Sequence, residues 1–564
     1  MVSVYSRPIE LTKALGRCEQ EVYLVLGFTR IPTAVLAEID ETARGRGHRD
    51  LAQDRERTSS ILDDIEFFFA QCALRDPFWQ FAFSSKVLLS IPGYRDIQLL
   101  FTLNRYILDN PGQAVHILVT NVPLRKLVES LFGGHRFWPP VVMPNLRAWG
   151  RMLRTLLRTV LSRAPQHRAD LLVCTLTQGN ADPNRADTYF GNLTSLARSA
   201  RSVETVYLAS GPQVWLSKAT GFNPLEAYAT IGDVLVSWFR SLGRMFRLKP
   251  PKALLVAGKD LSPILHYLEY REIRTGEHFM QAFMNKAYGR VIAAVQPRVL
   301  LFPFENRSWE KRLVTLARRA GLGKIIGYQH TSITPRHLAL RVEPAEMPDE
   351  AIPDAILTTG EITLAWLEKL SPLWRRRAIA GVSMRRARDT VPEPTGSECV
   401  LVAISSNREE AWSLLRATFE AARENDIRFI VRSHPTIPVQ DLFALFAWPP
   451  RVILSAGRSL IQDLTEATAV AYSSSTVVLE GMLYGRLPIF VDIGDVPAGD
   501  PITGRCPFKV VAATPVEFGR ALRKVSAMSP KRRAEMSAAA RDYAERYLMY
   551  PTKKRIDRIL ALLN

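Results

Sequence analysis

Short apolar runs, each followed by a segment with helical spacing, recur along this chain and constrain its fold more than any other feature. They include VHILVT (115–120) before a helix at 122–132, DLLVCT (170–175), TVYLAS (205–210), and 299–303 before a helix at 309–319. KIIGYQ (324–329) and PDAILTTGE (353–361) continue the series, and 399–404, 429–433, 452–454, 469–473 and 487–492 complete it, with helices at 409–424 and 459–466 between them. A strand at 20–27 and helices at 54–72 and 94–109 come before, and helices at 514–526, 529–547 and 552–563 close the chain. Strands that alternate with helices form parallel sheets covered by helices on both faces. A basic, proline-containing stretch at 371–396 is the best boundary. It divides an N-terminal Rossmann-like domain (1–375) from a C-terminal one (397–564), with a linker at 376–396 and a cleft between them. The fold class expected is α/β, two doubly wound domains facing each other.

In such sheets ligand contacts come from loops at the carboxyl ends of strands, so residues there are the site candidates. In 470–491 a strand gives way to Ser473, Ser474, Ser475 and Thr476 and then to a helix. Free backbone N–H groups and hydroxyls at such a junction favour an anion, here the phosphate of an activated sugar. Glu480, one turn on, is placed to accept hydrogen bonds from a sugar or ribose. An ordinary serine N-cap explains the same letters. His434-Pro435 ends a strand read as the serine strand's neighbour, and proline stops helix formation there. In the first half, successive strands deliver Glu305 and His330 to one sheet edge, a carboxylate and an imidazole suited to general acid/base work. Each alone also reads as a hydrogen-bonded loop residue. Asp187, Tyr189 and Gly191 are further candidates on the acceptor side, with an ordinary loop as their alternative.

Two segments set the partner classes. In 144–168, Arg147, Arg151, Arg154 and Arg158 recur along one helical face, an apolar set including Trp149, Leu153 and Leu157 forms another, and no acidic residue is present. Residues 234–250 repeat the theme with Trp238, Phe239, Met245 and Phe246. Such segments suit an interface with anionic lipid, the reading favoured by the lack of acidic counter-charges, with a surface helix and a solvated basic face as the alternative. The formal charge of +19 fits that reading. No helix-turn-helix, zinc finger or RNP signature accompanies it, so nucleic acid is not an expected partner. Five cysteines without ligand spacing argue against structural zinc, and no run reaches the ~18 apolar residues of a spanning helix. A cytoplasmic protein peripheral to the inner face of the cell membrane is expected.

Three motifs carry a resemblance. RSHP (432–435) with SSST…LEG (473–481) resembles the paired HP and serine motifs of bacterial sialyltransferases, capsule Kdo transferases and CDP-glycerol glycerophosphotransferases. GYQHTSITPRHL (327–338) is similar to the HG-type segment of these enzymes, with Thr331 in place of glycine, and FENRSWEKRL (304–313) with YFGNL (189–193) resembles surface-carbohydrate biosynthesis proteins. The likeness covers roughly residues 300–500. It implies a GT-B glycosyltransferase of surface polysaccharide biosynthesis. That enzyme would be metal-independent and free of cofactors, with a nucleotide-sugar donor, a CMP-sugar by family, and a lipid-linked saccharide acceptor. His434 and the serines would bind donor phosphate, Glu480 the ribose, and His330 would be the base, with Glu305 its substitute. Glycerophosphate-type transfer, nucleotide-sugar epimerisation and a non-catalytic membrane-associated scaffold are the alternatives on the same fold.

Overall fold

The computed structural model describes residues 2–18, 20–26, 33–51, 58–73, 86, 94–133, 143–162, 168–178, 187, 189–210, 222–245, 253–384, 386, 398–435, 437–493, 498–504 and 506–563. Its strands fall into three parallel sheets and one small hairpin. Strands β1 (Val2–Tyr5), β2 (Val22–Leu26), β3 (Arg49–Asp50) and β4 (Val115–Val119) form a four-stranded sheet in the order β1-β4-β2-β3. The seven-stranded sheet contains β5 (Leu171–Gln178), β6 (Val203–Ser210) and β7 (Phe222–Pro224). The hairpin β8 (Leu255–Val256) and β9 (Lys259–Asp260) stands apart. Strands β10 (Val299–Pro303), β11 (Lys324–Tyr328), β12 (Ala355–Thr358) and β13 (Ala378–Ala380) complete the larger sheet in the order β13-β12-β11-β10-β5-β6-β7. Finally β14 (Cys399–Ala403), β15 (Arg428–Arg432), β16 (Val452–Leu454), β17 (Ala469–Tyr472), β18 (Leu487–Val491) and β19 (Val510–Ala512) form a six-stranded sheet, β16-β15-β14-β17-β18-β19.

The two larger sheets repeat one winding. In each, the chain starts at a central strand (β5 or β14), steps outward over two strands, returns to the other side of its starting strand, and steps outward again. The direction reverses between β5 and β10 and between β14 and β17, and ligand crevices form at such points. Strands β10, β14, β17 and β18 are buried along their full length, as parallel strands covered on both faces require. The doubly wound α/β class expected from the alternation is therefore present. The stretch 1–375 also holds the four-stranded sheet, whose core includes Leu24, Phe68, Phe101 and Ile117. The segment read as a linker from 376 opens with β13, the edge strand of the larger sheet. Most of the remaining linker, 385 and 387–396, lies outside the described residues.

The C-terminal helices return to the seven-stranded sheet. Ile559 and Leu563 are buried with Leu171, Val173, Val299 and Leu301. The Tyr547 hydroxyl accepts from the backbone N–H of Ile333 at 2.7 Å. Gly360 fits closely there: a Cβ would lie 2.3 Å from the carbonyl oxygen of Arg546. The returning chain runs beside the outgoing one. Ser383 N donates to Met549 O at 2.9 Å, and Arg386 Nη1 donates to Leu548 O at 2.7 Å.

Candidate functional site

At the reversal point of the six-stranded sheet, Asn407 caps the helix Arg408–Glu424, its side-chain Oδ1 accepting from the N–H groups of Glu409 (2.8 Å) and Glu410 (3.3 Å). The cap orients the first turn, and the Glu410 side chain is buried at 1% exposure. Ser474, just past β17, donates its hydroxyl hydrogen to Glu410 Oε2. Arg336, from the loop after β11 of the other large sheet, donates from Nη1 to Glu410 Oε1 at 2.5 Å. Gly499 closes over the three: a Cβ there would lie 2.4 Å from Ser474 Cβ and 2.8 Å from Arg336 Cζ.

The serine cluster thus splits. Ser473 and Ser475 are buried, Ser474 is half-buried and engaged, and Thr476 and Glu480 are exposed. Thr476 is the N-cap of the helix Val477–Leu483 but makes no side-chain cap bond. His434 follows β15, and the backbone N–H of Ile437 donates to its carbonyl at 3.0 Å. Burial pushes its imidazole below the ordinary histidine range, so it is neutral at pH 7. Its strand is not the serine strand's neighbour: β14 lies between β15 and β17, which places the two backbones about 10 Å apart. The neighbour relation expected from sequence is corrected. The chain goes on from β15 to the edge strand β16 and then returns to the far side of β14, so β14 separates the two.

At the reversal point of the seven-stranded sheet, β10 delivers Glu305 and β11 delivers His330, as expected. His330 Nε2 lies 3.6 Å from Glu305 Oε1. The Tyr189 ring meets His330 edge-on, centroids 4.3 Å apart at 88°. Arg307 forms an ion pair with Glu305 Oε2. Between them Asn306 takes a left-handed φ of +59°, tolerated by asparagine, and its amide donates to Ala339 O at 2.6 Å. Glu310 Oε2 accepts from the N–H groups of Glu305 (2.9 Å) and Arg307 (3.2 Å).

These carboxylates are driven apart. Burial alone would raise Glu305, but Arg307, His330 and His337 beside it outweigh burial and hold it at about 2. Burial dominates at Glu310 and pushes it up to about 8. Glu305 is thus permanently anionic near neutrality and too weakly basic to take a proton from a hydroxyl. It stands as a fixed negative charge 3.6 Å from the His330 imidazole. Asp187 serves its own loop, accepting from Thr175 Oγ1 (2.9 Å) and from the N–H groups of Tyr189 (2.7 Å) and Phe190 (2.8 Å). Gly191 at φ +52° packs on Met384, where a Cβ would meet the carbonyl oxygen at 2.4 Å. Much of the surrounding loop, 179–186 and 188, lies outside the described residues.

A cavity of about 440 Å³ opens between the two large-sheet units, lined among others by Arg341, Trp366, Lys369, Phe490 and Lys509. Two of its cations are already paired, Arg341 with Glu66 at 3.0 Å and Lys509 with Asp500, which also lines the cavity, at 2.7 Å. Sequence reasoning missed Arg336, Glu410 and Arg307. Arg336 stands inside the GYQHTSITPRHL segment, and a charged residue in a turn just past a buried strand end was the available signal.

The basic segments sit differently from expectation. In the helix Leu146–Leu161, Arg158 is buried and pairs with Glu226 at 3.2 Å, while Arg151 pairs with Glu277 at 2.5 Å. Their counter-charges come from distant parts of the chain, so a local absence of acids did not mean free arginines. The outward face is apolar instead: Leu146 is 90% exposed, Leu153 51% and Leu157 49%. The neighbouring helix Ile231–Met245 adds Phe239 at 64% and Val236, whereas Trp238 is buried against Trp149 at 4.8 Å. Arg147 and Arg154 flank this patch, and 246–250 lies outside the described residues. Among the described residues no helix is long and apolar enough to cross a membrane.

One group of side chains among the described residues has a metal-ligand composition: Cys18, Glu21 and His116, on the four-stranded sheet unit, with ligand atoms within 4.8 Å of one another. His116 bonds to Tyr5 Oη at 2.9 Å and to Glu21, so the cluster already satisfies its own polar atoms.

No protein-family model matches this chain, and no curated protein matches it. Among solved structures it is similar to the glycotransferase of kitacinnamycin (14% identity, 71% of this chain and 100% of that one, TM-score 0.40). It is likewise similar to CalG4, the calicheamicin glycosyltransferase (14%, 71% and 98%, TM-score 0.39). A third is the UDP-GlcNAc 2-epimerase from Neisseria meningitidis bound to UDP-GlcNAc (10%, 70% and 99%, TM-score 0.38).

Proposed function

We propose that this chain is a metal-independent GT-B glycosyltransferase. It moves a sugar from a nucleotide-activated donor, a CMP-sugar, to a lipid-linked or growing surface polysaccharide at the inner face of the cell membrane. The observation that carries the reading is one loop spanning two crevices. It starts at His330, 3.6 Å from Glu305 at one reversal point, and reaches Ser474 and Glu410 at the other through Arg336. One loop thus carries both the proposed base and a partner of the proposed anion-binding junction.

In this mechanism His330 accepts the proton of the acceptor hydroxyl while that oxygen attacks the anomeric carbon. The bond from that carbon to the phosphate oxygen breaks, and the electron pair leaves with the nucleotide. Donors around the serine cluster and His434 stabilise the phosphate charge that develops. Glu305 stays ionised and stabilises the imidazolium that forms. Side chains, not a metal ion, do this work, so chelation leaves turnover unchanged. The apolar patch on Leu146–Leu161 and Ile231–Met245, flanked by Arg147 and Arg154, seats the enzyme on anionic lipid, where a lipid-linked acceptor is presented.

Purified full-length protein incubated with CMP-, CDP- and UDP-activated sugars tests the reading. Binding and slow hydrolysis of one class are expected, and His434→Ala weakens that binding with the fold intact. Protein that neither binds nor hydrolyses any of them removes the transferase reading, and turnover of CDP-glycerol replaces it with alcohol-phosphate transfer.

A further inference from the structure

We infer that Glu410 is an internal stand-in for a phosphate, and that Arg336 with Ser474 is the site this phosphate occupies when it displaces the carboxylate. The inference rests on the reading above and names the anion-binding residues of that cleft. The anion's position at the reversal point of the six-stranded sheet is filled by a carboxylate held as a phosphate would be. A guanidinium at 2.5 Å meets one oxygen and a serine hydroxyl meets the other. All three groups are held in place: Arg336 is 7% exposed, Glu410 1%, and Gly499 leaves no room for a Cβ between Ser474 and Arg336.

One further hydroxyl at this strand end points to a ligand. That of Ser473, next to Ser474 in the chain and itself 2% exposed, is buried without a hydrogen-bond partner among the described residues. Buried donors left unsatisfied carry a penalty that an incoming oxygen acceptor relieves. A carboxylate offers two oxygens, whereas a phosphate offers three or more, which leaves an acceptor for a neighbouring donor such as Ser473. Arg336 belongs to the seven-stranded unit and Glu410 to the six-stranded one, so exchanging the carboxylate for a ligand replaces an internal link between the units with a ligand-mediated one.

The test is calorimetric titration of the full chain with inorganic phosphate and with CMP. Glu410→Gln keeps the shape, removes the competing charge and tightens both ligands at least tenfold. Arg336→Gln in the Glu410→Gln background abolishes that gain. A gain of affinity cannot come from a damaged fold, so the first variant remains informative even if Arg336→Gln is unstable. Unchanged or weaker binding of both ligands to Glu410→Gln overturns the inference, and if wild-type protein still hydrolyses a donor, the transferase reading survives it. Tightening of inorganic phosphate alone supports the anion site and counts against a nucleotide as its source.

Discussion

The outward apolar patch makes a quantitative prediction about membrane binding. Leu153, Leu157 and Phe239 expose about half to two thirds of their surface. Fully burying such a side chain is worth about 2 kcal/mol, so each contributes roughly 1 kcal/mol on entering the interface. Replacing all three with glutamine removes about 3 kcal/mol, which is a roughly 100-fold loss of partitioning at 1.4 kcal/mol per tenfold. The assay is flotation with liposomes containing anionic lipid, at low salt and again at high salt. Because the patch is apolar with a basic margin, wild-type binding falls with salt yet persists, whereas the triple variant loses its salt-resistant part. Circular dichroism should be unchanged, since none of the three is in the core. A triple variant that floats within fivefold of wild type refutes the assignment of this face to the membrane.

His330→Ala should lower kcat by about 10²–10⁴, the usual contribution of a general base, with donor affinity unchanged when titrated directly. Glu310, raised in the folded state to about 8 from an unfolded value of 4.5, favours the native state fully below pH 4.5 and progressively less toward pH 8. Glu310→Gln removes this dependence and should gain up to a few kcal/mol over wild type at pH 8 but little at pH 5, read from urea midpoints. A gain of equal size at both pH values would contradict the burial argument. Arg158→Ala strands the buried Glu226 and should cost about 3–5 kcal/mol in thermal or urea unfolding, while Arg154→Ala on the exposed side costs almost nothing. Gly499→Ala should abolish nucleotide binding in a direct titration and also cost about 3–5 kcal/mol in urea unfolding, because its methyl group would displace Ser474 and Arg336 and break the buried Arg336–Glu410 pair.

Strand positions were legible from sequence because buried parallel strands are nearly continuous apolar runs, and β5, β10, β11, β14 and β17 fall where those runs stand. The approach of Glu305 to His330 was legible for a related reason: both follow strand ends, and strand ends share an edge. Lateral order was not. Nothing local in RSHP or SSST says that β14 separates them, since the order is fixed by the return crossover. Orientation of the basic helix was equally hidden. Arg158 turns inward because Glu226, far along the chain, supplies its counter-charge, and helical spacing alone cannot tell which face a distant acid will claim. The pairing of Arg336 with Glu410 is a contact between two units, beyond the reach of any window of sequence.

The side-by-side passage of the chain near Ser383 and Met549 bears on motion. The outgoing and returning stretches of chain are bonded to each other there by Ser383 and Arg386. The units cannot slide apart along that line without breaking those bonds, and the pair Arg336–Glu410 ties them together at a second place.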